Sequence, residues 1–482
     1  MEELDHYGDG IVTDAVVVGA GPNGLAAAVV LARAGLSVEV LEGAEQPGGG
    51  CRTAELTLEG FHHDVCSAVH PLLIASPFFK DIDLEKLGVR LCTPKVSFAH
   101  PLDGGRAGVA WPSIEKTAEA LGPDARRYRR LFAPLARDLD KILPTVLAPL
   151  RSVPSHPLAM ARFGTIGLLP ATRVAARFQT DEAKGIVAGA SAHSMLSLSS
   201  PLSASFGLLF IAVAHRLGWP VVSGGSQRIV EALGAELESL GGRIRTGAWV
   251  RRLDELDAKT VLLDVTPRQF LDLAGDRLKG RPRRQLERFR YGPGVCKVDW
   301  ALSGPVPWQA EACREAGTVH VCGPFDEVAR SEAALAAGRH AEKPFVLVAQ
   351  PGVVDPTRAP EGQHTLWGYC HVPHGSTTDM TGAIEGQIER FAPGFRDLIL
   401  ARSTMTAADM AHYDPNYIGG DINGGLANLR QTVLRPTARW NPYRTALPGV
   451  YLCSASTPPG GGVHGMCGLG AARTALADLG RR

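Results

Sequence analysis

No run of about 18 apolar residues occurs in these 482 residues, so a helix crossing a membrane is not expected. No Cys-x-x-Cys pair occurs either. The nine cysteines (Cys51, Cys66, Cys92, Cys296, Cys313, Cys322, Cys370, Cys453 and Cys467) are scattered and odd in number. That pattern suits reduced thiols rather than a disulfide framework or a metal cage, so no metal is expected. It also excludes a disulfide-shuttling flavoprotein, which places two close cysteines soon after its first nucleotide-binding unit; Cys51 has no partner before Cys66. Charge of one sign is lacking too. With 50 Lys and Arg against 49 Asp and Glu the net charge is +1, and nucleic acid is not an expected partner. The opening MEELDHYGDG lacks the basic start and apolar centre of a secretory signal, so cytoplasm is the expected location. At this length two domains are expected.

What is present gathers around glycine. Val16, Val17 and Val18 predict a buried parallel strand. It runs into Gly19-Ala20-Gly21-Pro22-Asn23-Gly24, then an Ala/Leu/Val helix to about Gly35, and a second strand, Val38 to Leu41, that ends at Glu42. This is a complete βαβ unit. Gly19 permits the tight turn, Gly21 lets backbone approach a pyrophosphate, and Gly24 lets the helix lie close to the strand. The helix N-terminus offers unpaired N–H groups to phosphate. Glu42, 18 residues beyond Gly24, stands where an acid accepts hydrogen bonds from ribose hydroxyls. A second glycine turn follows at Gly48-Gly49-Gly50, with Arg52 and Thr53 behind it.

A third glycine turn closes the chain. Pro448 to Cys453 reads as a strand, Ser454 to Pro459 as a loop, and Gly460-Gly461-Gly462-Val463-His464-Gly465-Met466 leads into a helix from Cys467 to Leu479. Between the ends, Gly185 to His215 is 31 residues without Asp, Glu, Lys or Arg. Seven serines and Pro201 interrupt it, which predicts two packed helices and suits an ordinary core, the wall of an apolar cavity or a membrane-docking surface. Gly294 to Leu302, Phe345 to Ala349 and His364 to His371 alternate as strands and suggest a second, mixed sheet. Strands are also expected at Val96 to Ala99 and Ile244 to Val250, and an exposed connector across the basic run Arg277 to Arg290. No second GxGxxG occurs, so a separate nicotinamide domain is not indicated.

On the βαβ unit, the acid, the Gly-Gly-x-x-Arg turn and the closing glycine turn, the sequence resembles the phytoene desaturase-like branch of the FAD-dependent amine oxidase superfamily. Ala44 and Gly50 stand where that family often has basic residues, and Arg52 is the candidate to supply the charge. The resemblance implies an α/β fold: a Rossmann-type, glutathione-reductase-like FAD-binding domain with a second mixed-sheet plus helical substrate domain. It places the first, discontinuously, at 1–75, 220–290 and 440–482, and the second at 76–219 and 291–439. FAD is the implied cofactor, held by Gly19, Gly21, Pro22, Asn23, Gly24, Glu42, Gly49, Gly50, Arg52, Thr53, Val250, Ser456, Gly462, Val463, His464 and Met466. His464 is the first candidate for a group over the flavin ring, with Tyr369, His371 and Lys297 behind it. The implied activity is hydride transfer from a C–H or C–N bond of an apolar small molecule to flavin N5. A flavin-dependent isomerase and a non-catalytic FAD-binding interaction protein stay open beside it. Peripheral membrane contact is a further expectation; the substrate's identity, the electron acceptor (oxygen, quinone or protein) and the oligomeric state are left open.

Overall fold

The computed structural model describes residues 13 to 480, so the acidic opening segment read for a secretory signal lies outside the described residues. Five short strands form one wholly parallel sheet, in the order Val450–Leu452, Thr260–Leu263, Ala15–Val18, Val38–Leu41, Arg243–Arg245. Ala15–Val18 and Thr260–Leu263 are buried throughout, as strands covered on both faces must be. Helices Pro22–Arg33, Gln227–Ser239 and Met466–Asp478 share one apolar core with this sheet. The first and last of these approach so closely that a Cβ on Gly468 would lie 2.0 Å from the Asn23 carbonyl oxygen. The strand expected from Ile244 to Val250 stops at Arg245. Beyond it, the N–H groups of Gly247 and Ala248 donate to the carbonyls of Ala44 and Glu42, drawing the chain across the end of Val38–Leu41 instead of along it.

The second sheet has seven strands, in the order Ile399–Met405, Gly294–Leu302, His364–Val372, Val346–Ala349, Ala316–Val321, Val96–Leu102, Arg106–Ala110. It is mixed, because Ala316–Val321 pairs in parallel with Val96–Leu102 while its other pairings are antiparallel. Strand alternation divides its side chains between two cores. Cys296, Val298, Trp300 and Leu302 enter one; Phe98, Val295, Leu347, Trp367 and Tyr369 enter the other, beneath the helices.

The charge-free stretch folds as two helices, Asp181–Ala192 and Ser203–Arg216. The break between them contains two left-handed residues, Met195 (φ 52°) and Leu202 (φ 70°). Helix Asp181–Ala192 lies on the sheet through two glycines one turn apart. A Cβ at Gly185 would come within 2.6 Å of the His100 ring, and one at Gly189 within 2.4 Å of the His320 ring. Gly207 of the second helix meets Ser191 Oγ in the same way, at 2.3 Å. The basic run near 277–290 is largely exposed and includes the helix Gly280–Glu287.

Candidate active site

The first two glycine turns touch. The Gly48 N–H donates to the Ala20 carbonyl (3.0 Å), and a Cβ on Gly49 would lie 3.3 Å from Gly21 Cα. Glu42 ties the base of this junction, accepting from the N–H groups of Ala20 (2.8 Å) and Ala44 (2.9 Å), with the Arg52 guanidinium 3.8 Å away. Below the helix start, Asp264 Oδ2 accepts from the Gly24 N–H at 2.8 Å. That carboxyl is buried beside Asp414 and Glu42, and burial first, then those neighbours, push it up to about 8 against the pull of the Gly24 N–H. At neutral pH it is therefore protonated.

A single cavity of about 520 Å³ runs from Gly21, Pro22 and Asn23 past Gly49 and Gly50 to Ser456 and the closing turn, Gly461 to His464. At the first helix start the N–H groups of Gly21 and Asn23 find no acceptor among the described residues; nor do those of Gly462 and Val463 near the last. The Asn23 side-chain oxygen and Arg52 Nε are also buried without a partner. Unpaired donors at two helix starts, opening on one cleft, suit a long ligand with an anionic middle. Past the closing turn the cavity is walled by apolar side chains, among them Leu147, Met160, Phe163, Phe206, Leu209 and Phe210.

Residues 17–77 match the family model of the NAD(P)-binding Rossmann-like domain. Over almost its whole length the chain is 24% identical to pyridine nucleotide-disulfide oxidoreductase domain-containing protein 2 of Mus musculus, covering 97% of this chain and 94% of that one. It is also 24% identical to the lycopene-forming phytoene desaturase of a Paracoccus species, covering 96% and 97%. Its fold matches putrescine oxidase with putrescine bound at a TM-score of 0.60 and 17% identity, over 97% of this chain and 99% of that structure. The chain is a relative of the phytoene desaturase-like flavoproteins. FAD is the cofactor, and the cradle fits it: unpaired N–H groups at the first turn suit the pyrophosphate, Glu42 and Arg52 suit the ribose end, and the N–H groups of Gly462 and Val463 suit the ring.

Among the residues expected to hold FAD, Gly21, Pro22, Asn23, Gly49, Gly50, Ser456, Gly462, Val463 and His464 line the cavity. Gly19 and Gly24 lie behind it, where a Cβ at 24 would come within 2.0 Å of the Gly19 oxygen. Val250 follows the segment that crosses Glu42, and Met466 begins the last helix. Thr53 is occupied elsewhere. Its hydroxyl donates to Asp64 (2.9 Å) and accepts from the Gln227 N–H (3.2 Å). Asp64 is paired in turn with the buried Arg358 at 3.0 Å.

The four candidate catalytic residues separate. Tyr369 lines the cavity, and its hydroxyl makes no hydrogen bond among the described residues. His371 sits behind it, ring centres 5.7 Å apart, with Nδ1 3.0 Å from both oxygens of Glu332. Lys297 is buried in an ion pair with Asp299 and does not line the cavity. His464 does line it, but both ring nitrogens are engaged. Nδ1 accepts from the Met466 N–H (3.0 Å), which leaves Nε2 as the donor to the Gly460 carbonyl (3.2 Å). With burial holding its imidazole down at about 4, that ring serves as a cap for the last helix.

Further residues complete the lining of the cavity. Asp264, Asp414, Asn416, Tyr417 and Asn423 reach the cavity too, the last three from a segment with two further glycine pairs, Gly419-Gly420 and Gly424-Gly425. His70, His193, Trp219 and Trp367 line its apolar part. His193 has its Nε2 3.0 Å from His320 Nε2.

Proposed function

We propose that the chain oxidises an apolar small molecule, with dehydrogenation of the phytoene desaturase type as the reaction class. Bound FAD supplies the hydride acceptor. The supporting observation is that the cavity lined by both flavin-facing turns continues, without a charged Lys or Arg side chain among its described lining residues, into an apolar chamber. Such walls align a hydrocarbon body by shape and keep water from the reacting bond. The paired helix starts present N–H groups where negative charge is best held. Leu150 and Leu168 both line the cavity and are exposed, which supports a route for substrate that a purely structural flavin site does not need.

The same mouth supports the expectation of peripheral membrane contact. Val153 and Leu158 protrude close by in sequence, and Arg151 holds the carbonyls of Ala438 and Arg439 beside the exposed Trp440. We propose further that the discontinuous FAD-binding and substrate domains expected from the sequence correspond to the parallel and mixed sheets.

The test is anaerobic titration of the yellow holoprotein with carotenoids, alkenes and amines while following flavin absorbance. Bleaching by an apolar compound supports the assignment. Turnover that requires pre-reduced flavin and yields an isomer would replace it with the isomerase reading, and a flavin unaffected by every compound would refute it.

A further inference from the structure

Polar side chains along the cavity mostly have partners already. Ser205 donates to the Leu202 carbonyl (2.7 Å), Asn423 Nδ2 to Met195 Sδ (2.9 Å), and Trp219 Nε1 to Thr318 Oγ1 (2.9 Å). The hydroxyls of Tyr369 and Thr432 have none among the described residues, and two ring side chains lack them as well. His70 is 1% exposed, and neither of its ring nitrogens has a partner. Trp367 is 6% exposed, and its indole N–H is unpaired too. Both line the cavity. His70 is held in place by its backbone, whose N–H donates to the Pro220 carbonyl (2.9 Å), and two residues on, Leu72 meets Gly462 of the ring-facing turn.

Chemistry narrows what would satisfy them. A neutral imidazole offers one N–H and one lone pair; an indole can only donate. A pure hydrocarbon answers neither, and the desolvated groups stay unpaired when it binds. A hydroxyl oxygen accepts from the indole or from the imidazole N–H, its proton suits the imidazole lone pair, and a carbonyl oxygen accepts from either donor. A carboxylate would lack a counter-charge, since among the described lining residues there is no Lys or Arg and burial keeps His70 neutral with its pKa at about 4.

On the strength of the oxidoreductase reading above, we infer that His70 and Trp367 are polar subsite contacts for a neutral oxygen function, an alcohol or ketone, on an otherwise apolar substrate. This narrows the substrate class from hydrocarbons to oxygenated apolar molecules.

The experiment measures binding of geranylgeraniol and of its hydrocarbon analogue to the holoprotein by perturbation of the flavin spectrum, in wild type and in His70→Phe, Trp367→Phe and His70→Asn. The readout is the ratio of the two affinities in each protein, so the different solubilities of the ligands cancel between proteins. The expected result is a ratio at least about tenfold more favourable to the alcohol in wild type than in His70→Phe or Trp367→Phe. His70→Asn, which keeps a donor and an acceptor, should recover part of it, and it carries the test if the phenylalanine variant fails to fold. Equal ratios in wild type and both variants would overturn the subsite. So would a loss of FAD affinity beyond about tenfold in His70→Phe, which would assign the imidazole to the cofactor. A His70-dependent preference for the alcohol without bleaching by any ligand would keep the subsite and remove the redox reading; bleaching by hydrocarbon with unchanged ratios would do the reverse.

Discussion

Replacing Asp264 by Asn should make the flavin-free protein more stable near neutral pH, and the effect should grow as pH rises. Asp264 is 7% exposed, with its Oδ2 2.8 Å from the Gly24 nitrogen. Burial, aided by Asp414 and Glu42, lifts its carboxyl from 3.8 to about 8. The folded protein thus keeps a proton that the unfolded chain releases at ordinary carboxylate pH. Between about pH 4 and about pH 8 the native state holds one proton more, and stability falls by about 1.4 kcal/mol for each unit of rising pH. Asparagine keeps an oxygen for the Gly24 N–H and does not titrate. The stability difference between variant and wild type should therefore shift by about 3 kcal/mol in the variant's favour from about pH 5 to about pH 7. Urea unfolding of both apoproteins across that range measures it, and other titrating groups cancel in the comparison. Parallel curves would refute the reasoning. A bound pyrophosphate adds negative charge beside the same carboxyl, so FAD affinity of the wild type should fall above about pH 8 while that of the variant holds.

Other substitutions probe the rest of the cradle. Gly468→Ala drives a methyl group against the Asn23 carbonyl and must part the two helices that face FAD; a loss of more than about 2 kcal/mol and a low flavin-to-protein ratio after gel filtration are expected. His464→Ala should lower stability by about 1 kcal/mol in thermal melts through loss of the cap on Met466, while flavin reduction by a true substrate stays within about tenfold. Replacing Leu158 and Trp440, 87% and 81% exposed, by serine should abolish co-sedimentation with phosphatidylcholine vesicles and leave turnover of a water-soluble substrate unchanged.

The parallel sheet was legible because its parts are local. A valine run, a glycine turn and a helix each announce themselves within a few residues, and the same holds at Gly460 to Gly465. Strand alternation likewise exposed Gly294–Leu302 and the strand that carries Tyr369 and His371. The end of Arg243–Arg245 was not legible, because the bonds that bend the chain away come from Ala44 and Glu42, some 200 residues upstream. His464 lines the cavity, but a ring bonded to its own turn looks the same in sequence as one offered to a substrate. Asp264 stands directly after an apolar strand, a signal in hindsight, since a carboxyl there meets the neighbouring helix start. Trp367 carries no pattern, and His70 shows in the sequence only as one of three polar residues, with His63 and Asp64, that suit either chemistry or a turn. The interest of Trp367 and His70 lies in partners they lack, and only a folded chain shows that.

The two flanks of the chamber differ in how freely they can be remodelled. Helix Asp181–Ala192 is keyed onto His100 and His320 by Gly185 and Gly189, and Gly207 locks the next helix onto Ser191, so any added methyl there would lift the whole wall off the sheet. Along Pro157–Gly167, which also lines the cavity, a Cβ at Gly164 would meet nothing within 4 Å. Divergence in ligand size among descendants of this chain should therefore accumulate along Pro157–Gly167, leaving the histidine-seated side as a fixed template.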